Sequence, residues 1–217
     1  GGIDTRPYYT ALGLSGSAAT TARFINPRIN NAYVLSNKNE GFGRTLTLKL
    51  EKTITKNWGG MIAYTAGRAK DLSFVASTVN ANVPSVNGVN YLLQGFSDNN
   101  LAARFVASGS YRFMFKGKKV DRATTISAGI SALPQFGNNI SYVYSGDMNG
   151  DGLNGNDLIY VPKQGSDLMF DPLTVGTVTY TAAQQQAAFD TYINNNKYLS
   201  KRKGSYAERN GGAYPWL

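Results

Sequence analysis

The chain has 217 residues, of which 42% are hydrophobic and only 16% charged, with no histidine, no cysteine and a formal net charge of +9. The absence of His and Cys excludes Cys/His zinc sites, thiol chemistry, Ser–His triads and histidine general bases together, so no enzymatic activity is expected. Residues 1–132 hold 16 Lys/Arg against 6 Asp/Glu and residues 133–217 hold 6 against 7, but no RNA-binding or helix-turn-helix signature accompanies the basic part, and no nucleic-acid partner is expected.

The chain begins Gly1-Gly2 with no Met, charged n-region or apolar h-region, so no signal peptide is visible and a mature or excised segment is expected. No run approaches the ~18 consecutive apolar residues of a membrane-spanning helix. A membrane-inserted version of this chain would span as strands. Residues 1–41 are rich in Gly, Ala, Ser, Thr and Asn, with Pro7 and Pro27 as breakers and one short apolar run at Tyr33-Val34-Leu35. They read as loop with one short strand.

From Phe42 the pattern becomes strict alternation, with Leu46, Leu48 and Leu50 on one face and Thr45, Thr47, Lys49 and Glu51 on the other. The spacing predicts a strand over 42–54, a tight turn at Thr55-Lys56-Asn57, and a second strand over 58–69. A polar connection over 70–100 follows, far longer than an ordinary strand connection. A second hairpin repeats the plan. Its strand at 101–116 sets Phe105, Ala107, Tyr111, Phe113 and Phe115 against Arg104, Ser108, Ser110, Arg112 and Lys116, and after a turn at Gly117-Lys118-Lys119 the chain returns over 121–132. Short turns at one end, long loops at the other, and Trp58, Tyr111, Phe113 and Phe115 near the turn ends are the layout of an outer-membrane barrel. A soluble antiparallel sandwich shares the alternation but has shorter strands and no such asymmetry of loops.

Residues 133–217 are too long and polar for one strand connection and carry structure of their own. Short strands are expected at 141–144 and 158–161. Thr181-Ala-Ala-Gln184 is a capping box that opens a helix over about 182–195, with Phe189 and Ile193 on one face. A helical turn is expected through Tyr198-Leu199, stopping at Gly204.

Asp147-x-Asn149-x-Asp151-Gly152 places oxygen ligands at alternate positions before a turn-permitting glycine, as in calcium loops. Asp147, Asn149 and Asp151 side chains, the Leu153 carbonyl and Asp157 are the candidate calcium ligands. A standard EF-hand is excluded, because its twelfth position here is Leu158 and the flanks read as strand. The alternative is that Asp, Asn and Gly make consecutive turns through their own hydrogen bonds. Farther on, Tyr206, Glu208, Arg209 and Trp216 form a candidate ligand-contacting group. Its alternative is an anchored return of the loop through Glu208 and Arg209, with Trp216 at the membrane interface. The pair Asp167 and Asp171 reads as solvated loop acids, and no glycine run matches a phosphate-binding loop.

The run from Ser145 through Gly-Asp-Met-Asn-Gly-Asp-Gly-Leu-Asn-Gly-Asn-Asp-Leu-Ile-Tyr-Val to Pro162, with Tyr192-Ile-Asn, Tyr198-Leu and Gly204-Ser-Tyr-Ala-Glu-Arg-Asn-Gly leading to Pro215-Trp216, resembles the C-terminal barrel region of Oar-like TonB-dependent outer-membrane receptors of Bacteroidetes-type bacteria. Gly2-Ile-Asp-Thr-Arg6 and Val34-Leu-Ser-Asn-Lys-Asn39 fit the same pattern. The resemblance implies a plugged barrel of about 22 strands that imports a large ligand with energy from the inner-membrane TonB complex. The sequence shows no plug, TonB box or terminal aromatic strand, and four strands cannot enclose a lumen. The expectation is therefore an all-β segment of a large antiparallel transmembrane barrel. It comprises an extracellular loop over 1–41, two long hairpins over 42–132, and a long extracellular loop region over 133–217 with a calcium-like loop at 147–157 and a short helix. Its expected partners are the rest of the barrel and plug, the TonB complex, the outer membrane itself and a surface lipoprotein. The competing class is a soluble, secreted, calcium-dependent β-module for glycan binding or adhesion.

Overall fold

A computed structural model describes residues 3–10, 18, 21–26, 28–29, 37–72, 83–113, 124–132 and 140–212. Among the described residues the fold is mostly β, with antiparallel sheets and a helix at Ala182–Asn195, and Ala18, Thr21 and Ala22 are helical where loop was expected. Four strands, β1 (Phe42–Lys52), β2 (Trp58–Asp71), β4 (Ala103–Phe113) and β5 (Thr124–Ala132), hydrogen-bond in that order, and the short β3 (Gly95–Phe96) pairs with the end of β2. The expected ends at 114–116 and 121–123, the turn at Gly117–Lys119 and the short strand at Tyr33–Leu35 lie outside the described residues. Strand β1 stops two residues short of expectation, while β2 runs two residues beyond it.

Register decides what the sheet presents. In an antiparallel pair, directly opposite residues share a face. Leu46, Leu48 and Leu50 face Ala66, Tyr64 and Ile62, which in turn face Ala103, Phe105 and Ala107. Tyr111 faces both Trp58 and Ile126. The alternation read from sequence therefore sums across four strands to one continuous apolar face. Nothing in the described chain covers it: Leu48 is 63% exposed and Leu50 77%. The opposite face is built of hydroxyls that satisfy one another, Thr47 with Thr65 at 3.0 Å and Ser110 with Ser127 at 2.9 Å. It also carries Arg104 and Arg112, with Lys49 paired to Glu51 at 2.5 Å.

Cations close the apolar face at both ends. At the turn end, the Lys52 ammonium lies 3.9 Å from the centre of the Trp58 ring and donates to the Trp58 carbonyl. At the loop end, Arg44 and Arg68 stand directly opposite each other, an arrangement that like charges disfavour. Each guanidinium turns to an aromatic ring instead, Arg44 to Phe42 at 5.1 Å and Arg68 to Phe96 at 5.4 Å.

The rest of the described chain forms a module with its own interior. Val86, Leu158, Ile159, Val161, Ile193, Leu199 and Ala207 make the core, flanked by Tyr142, Val143, Tyr144, Phe189, Tyr198 and Tyr206. Helix α1 (Ala182–Asn195) starts at the expected box: Thr181 Oγ1 accepts the Gln184 N–H, and Gln184 reaches back to the Thr181 N–H. Its Ile193 is fully buried and Phe189 half-buried, as four-residue spacing requires. A 3-10 turn at Leu199–Arg202 follows. Of the short strands expected at 141–144 and 158–161, the first is reduced to a single bridge, Val143 with Leu158, and the second to the two-residue strand β6 (Tyr160–Val161), which pairs with β9 (Ser205–Tyr206). A protruding hairpin, β7 (Leu173–Val175) and β8 (Val178–Tyr180), escaped the sequence reading.

The connection over 70–100 is also more than a polar span. Val83 and Val86 are buried, and Ser85 bridges to Asp157, so its second half belongs to the module. Leu199→Ala, a truncation at a site with no exposure, is expected to cost about 2–5 kcal/mol in denaturant unfolding. Met169→Ala, at a fully exposed site, is expected to stay within about 0.5 kcal/mol of the parent.

Candidate functional site

The acidic loop is wound on its own side chains. Asp147 Oδ1 accepts the N–H groups of Gly150 at 2.7 Å and Asp151 at 3.1 Å, and its Oδ2 accepts that of Gly152 at 2.7 Å. Asn149 Oδ1 accepts the Asp151 N–H at 2.8 Å, and Asp151 Oδ1 accepts the Leu153 N–H at 2.9 Å. Gly152 has φ +89°, the left-handed conformation that glycine adopts without penalty. These are the consecutive Asx turns that the alternative reading of this run describes.

Asp147 Oδ1 is filled by two N–H donors and its Oδ2 faces the Arg23 guanidinium at 3.9 Å. Asn149 Oδ1 and Asp151 Oδ1 each accept one N–H and retain a second lone pair. Asp151 Oδ2 faces the amide nitrogens of Asn149 at 3.3 Å and Asn156 at 3.5 Å. Asn156 is fully buried and its Oδ1 has no hydrogen-bond partner among the described residues. Sequence reasoning passed over Asn156, although it lies in the same Asn/Asp/Gly run. Asp157 is differently occupied: its Oδ2 accepts the Met148 and Asn149 N–H groups, and its Oδ1 lies 3.3 Å from the Arg6 guanidinium. Burial pushes the Asp157 carboxyl above its ordinary range, against the lowering effect of the Met148 N–H and Arg6. Among the described residues, no three carboxylates, histidines or cysteines converge as a metal-binding group.

Arg6 was not singled out from sequence. Its side chain is 4% exposed and reaches Asp4, Asp157 and the Leu158 carbonyl, while its guanidinium lies over the rings of Tyr144 and Tyr206. The segment 4–10 thus forms a strap across the module. Tyr9 donates its N–H to the Asn149 carbonyl at 2.7 Å, and Thr10 donates its hydroxyl to the Gly150 carbonyl. A lone arginine near a chain end carries no sequence signal for such a contact, because its partners lie some 150 residues away.

Three of the four residues in the other candidate group are brought close, but each is engaged within the chain. Tyr206 donates its hydroxyl to Asp4 at 2.7 Å and accepts the Thr5 N–H. Glu208 pairs with Arg202 at 2.8 Å and Lys70 at 3.4 Å. Arg209 is 4% exposed and donates to the Asp71 carbonyl at 2.7 Å and to the Asp71 carboxylate. This is the geometry of an anchored return. Trp216 lies outside the described residues. Of the remaining acids, Asp167 caps a short 3-10 turn by accepting the Lys163 and Gln164 N–H groups, and Asp171 is exposed.

Compared with protein-family models, curated proteins and solved structures, the chain matches none.

The strap carries a pH signature. Burial alone would raise the Asp4 carboxyl, but the Arg6 side chain, the Tyr206 hydroxyl and the Arg6 N–H outweigh it and hold the group below its ordinary value of 3.8. A depressed carboxyl contributes stability above the unfolded value, and that contribution is lost as pH falls through the folded one. Asp4→Asn is expected to cost roughly 1–3 kcal/mol at pH 7, with the gap to the parent closing as pH drops below 3.8. Urea midpoints across that range measure it, and a gap independent of pH would show that Asp4 acts by shape alone.

Proposed function

We propose that the chain is part of a TonB-dependent outer-membrane receptor that imports a large ligand, its hairpins forming barrel wall and its module the cell-surface face. The observation that carries this reading is the exposed apolar face of β1, β2, β4 and β5. In water, so wide an uncovered apolar surface is unfavourable and marks an interaction site. Lipid removes that cost, and the hydroxyl-lined face then turns to a wet barrel interior. Between Arg44 and Lys52, β1 rises about 27 Å at ~3.4 Å per residue, or about 20 Å across the membrane at a ~40° tilt. That is close to the ~25 Å apolar band of such barrels. The cation–ring pairs at both ends suit the interfaces, where long basic side chains keep their charge in water.

Leu48→Lys and Thr47→Lys separate the two faces. Leu48→Lys is expected to cost about 2–4 kcal/mol of folding stability in liposomes, and Thr47→Lys close to nothing. Equal effects, or a folded monomer in buffer without detergent, would overturn the membrane reading. The second outcome would select the secreted β-module, which the separate core around Ile193 and Leu199 favours.

Calcium at Asp147, Asn149 and Asp151, with the Leu153 carbonyl and Asp157 as the further expected ligands, is proposed as a property of the surface module. The unpartnered Asn156 Oδ1 is the feature that supports it. Isothermal titration with calcium chloride is expected to give a binding heat that Asp151→Ala removes. No heat at millimolar calcium sinks the proposal.

A further inference from the structure

We propose that the apolar face carries a docking groove for one anionic phospholipid, at the turn end of the sheet. This inference rests on the membrane reading above and goes beyond it, because bulk lipid would need no shaped site. The groove is a shallow hollow open to the surroundings, of about 460 Å³, bordered by Trp58, Tyr111 and Ile126 with Ala107, Gly109 and Ala128 beneath. It follows from register: the row Trp58, Tyr111, Ile126 is followed by the row Gly60, Gly109, Ala128, so three large side chains border a strip with almost none. Its lining is almost wholly apolar, which suits an acyl chain lying along the sheet.

Two features separate a specific lipid from an incidental hollow. The first concerns the glycines. A Cβ on Gly60 would meet the Ser108 carbonyl oxygen at 2.7 Å, so the sheet itself forbids a side chain there. Among the described residues, a Cβ on Gly109 would meet nothing within 4 Å. No described residue requires glycine at 109 for packing, and a strand glycine of that kind often marks close approach by something else.

The second feature is charge. The Lys52 ammonium sits on the Trp58 ring at the mouth of the groove, and Lys56 is exposed in the adjoining turn. Neither pairs with a carboxylate among the described residues, whereas Glu51 is taken by Lys49. An acyl chain lying on Gly109 would bring its phosphate to these two ammonium groups. Charge complementarity therefore selects an anionic headgroup over a zwitterionic one.

Native mass spectrometry of the full-length protein in mild detergent, titrated with dioleoyl phosphatidylglycerol and with dioleoyl phosphatidylcholine, tests the assignment. One retained phosphatidylglycerol is expected, preferred by roughly fivefold for each lysine engaged. Gly109→Leu fills the groove and is expected to weaken both lipids. Lys52→Gln with Lys56→Gln is expected to erase the preference while leaving phosphatidylcholine binding unchanged. Circular dichroism and the heat-dependent gel shift of a folded barrel establish that the variants fold. Equal binding of the two lipids by the parent, or undiminished phosphatidylglycerol binding by folded Gly109→Leu, overturns the proposal. A dimer lost in Gly109→Leu would also overturn it, since a second copy would then be the occupant. If the protein needs detergent but shows no preference, the groove assignment alone fails; if it is soluble without detergent, the membrane reading fails first.

Discussion

The structure hinges on the end of β2. Strand β2 outruns its neighbour β4, so its last residues, Lys70 and Asp71, have a free edge that β3 takes up. Arg209 closes this junction. Its guanidinium binds the carbonyl and carboxylate of Asp71, its own carbonyl accepts the Phe96 N–H at 3.1 Å, and its Cβ packs so tightly against Gly95 that a side chain there would collide. Asn210 adds a bond from its amide to the Phe96 carbonyl at 3.0 Å. A nearly buried guanidinium is costly to desolvate and persists only where carboxylate and carbonyl oxygens receive it. That requirement places the return of the chain at one point on the sheet, which positions the module above it.

On either side of this junction the same chemistry works against different surroundings. In the module, apolar side chains point inward, and Val161, Ile193 and Leu199 are wholly buried. In the sheet, they point outward, and the polar rows must be satisfied without a core behind them. The Thr47–Thr65 and Ser110–Ser127 pairs do this locally. Small hydroxyls have little side-chain entropy to lose and suit a face that lines water, whereas so wide an uncovered apolar face marks a site for lipid or for a partner. The contrast within one chain is what supports reading the sheet as wall and the module as its aqueous cap.

What was legible in the sequence was whatever depends on short spacing. Leu46, Leu48 and Leu50 announce a strand because the strand period is two, and Thr181 with Gln184 announces a helix start because both bonds of the box lie within one turn. The helix starts at Ala182, where the box places it. The missed features depend on distant partners. Arg6 meets Asp157 and Leu158 across more than 150 residues, and Arg209, legible as an anchor of the returning loop, finds in Asp71 a partner 138 residues away that no spacing announces. The β7–β8 hairpin was overlooked for another reason: its strands are three residues each, too short for alternation to stand out from the surrounding polar loop. Of the short strands expected near the acidic loop, 158–161 keeps β6 at Tyr160–Val161, whereas 141–144 is reduced to the Val143–Leu158 bridge, because Ser85 takes the Leu158 N–H on the other side.

The strap decides how the acidic loop behaves within the module. A loop of Asp, Asn and Gly is ordinarily free to unwind, since glycine loses more conformational entropy on ordering than any other residue. Here the carbonyls of Asn149 and Gly150 are held by Tyr9 and Thr10, and the N–H groups of Met148 and Asn149 are held by Asp157. Asp157 is in turn fixed by Arg6, which belongs to the same strap. The loop is therefore clamped from both sides by one segment, and the cost of ordering it is met during folding rather than on binding. A surface so fixed before contact loses less entropy when a partner or a cation arrives, which is how a preformed site gains affinity without adding contacts.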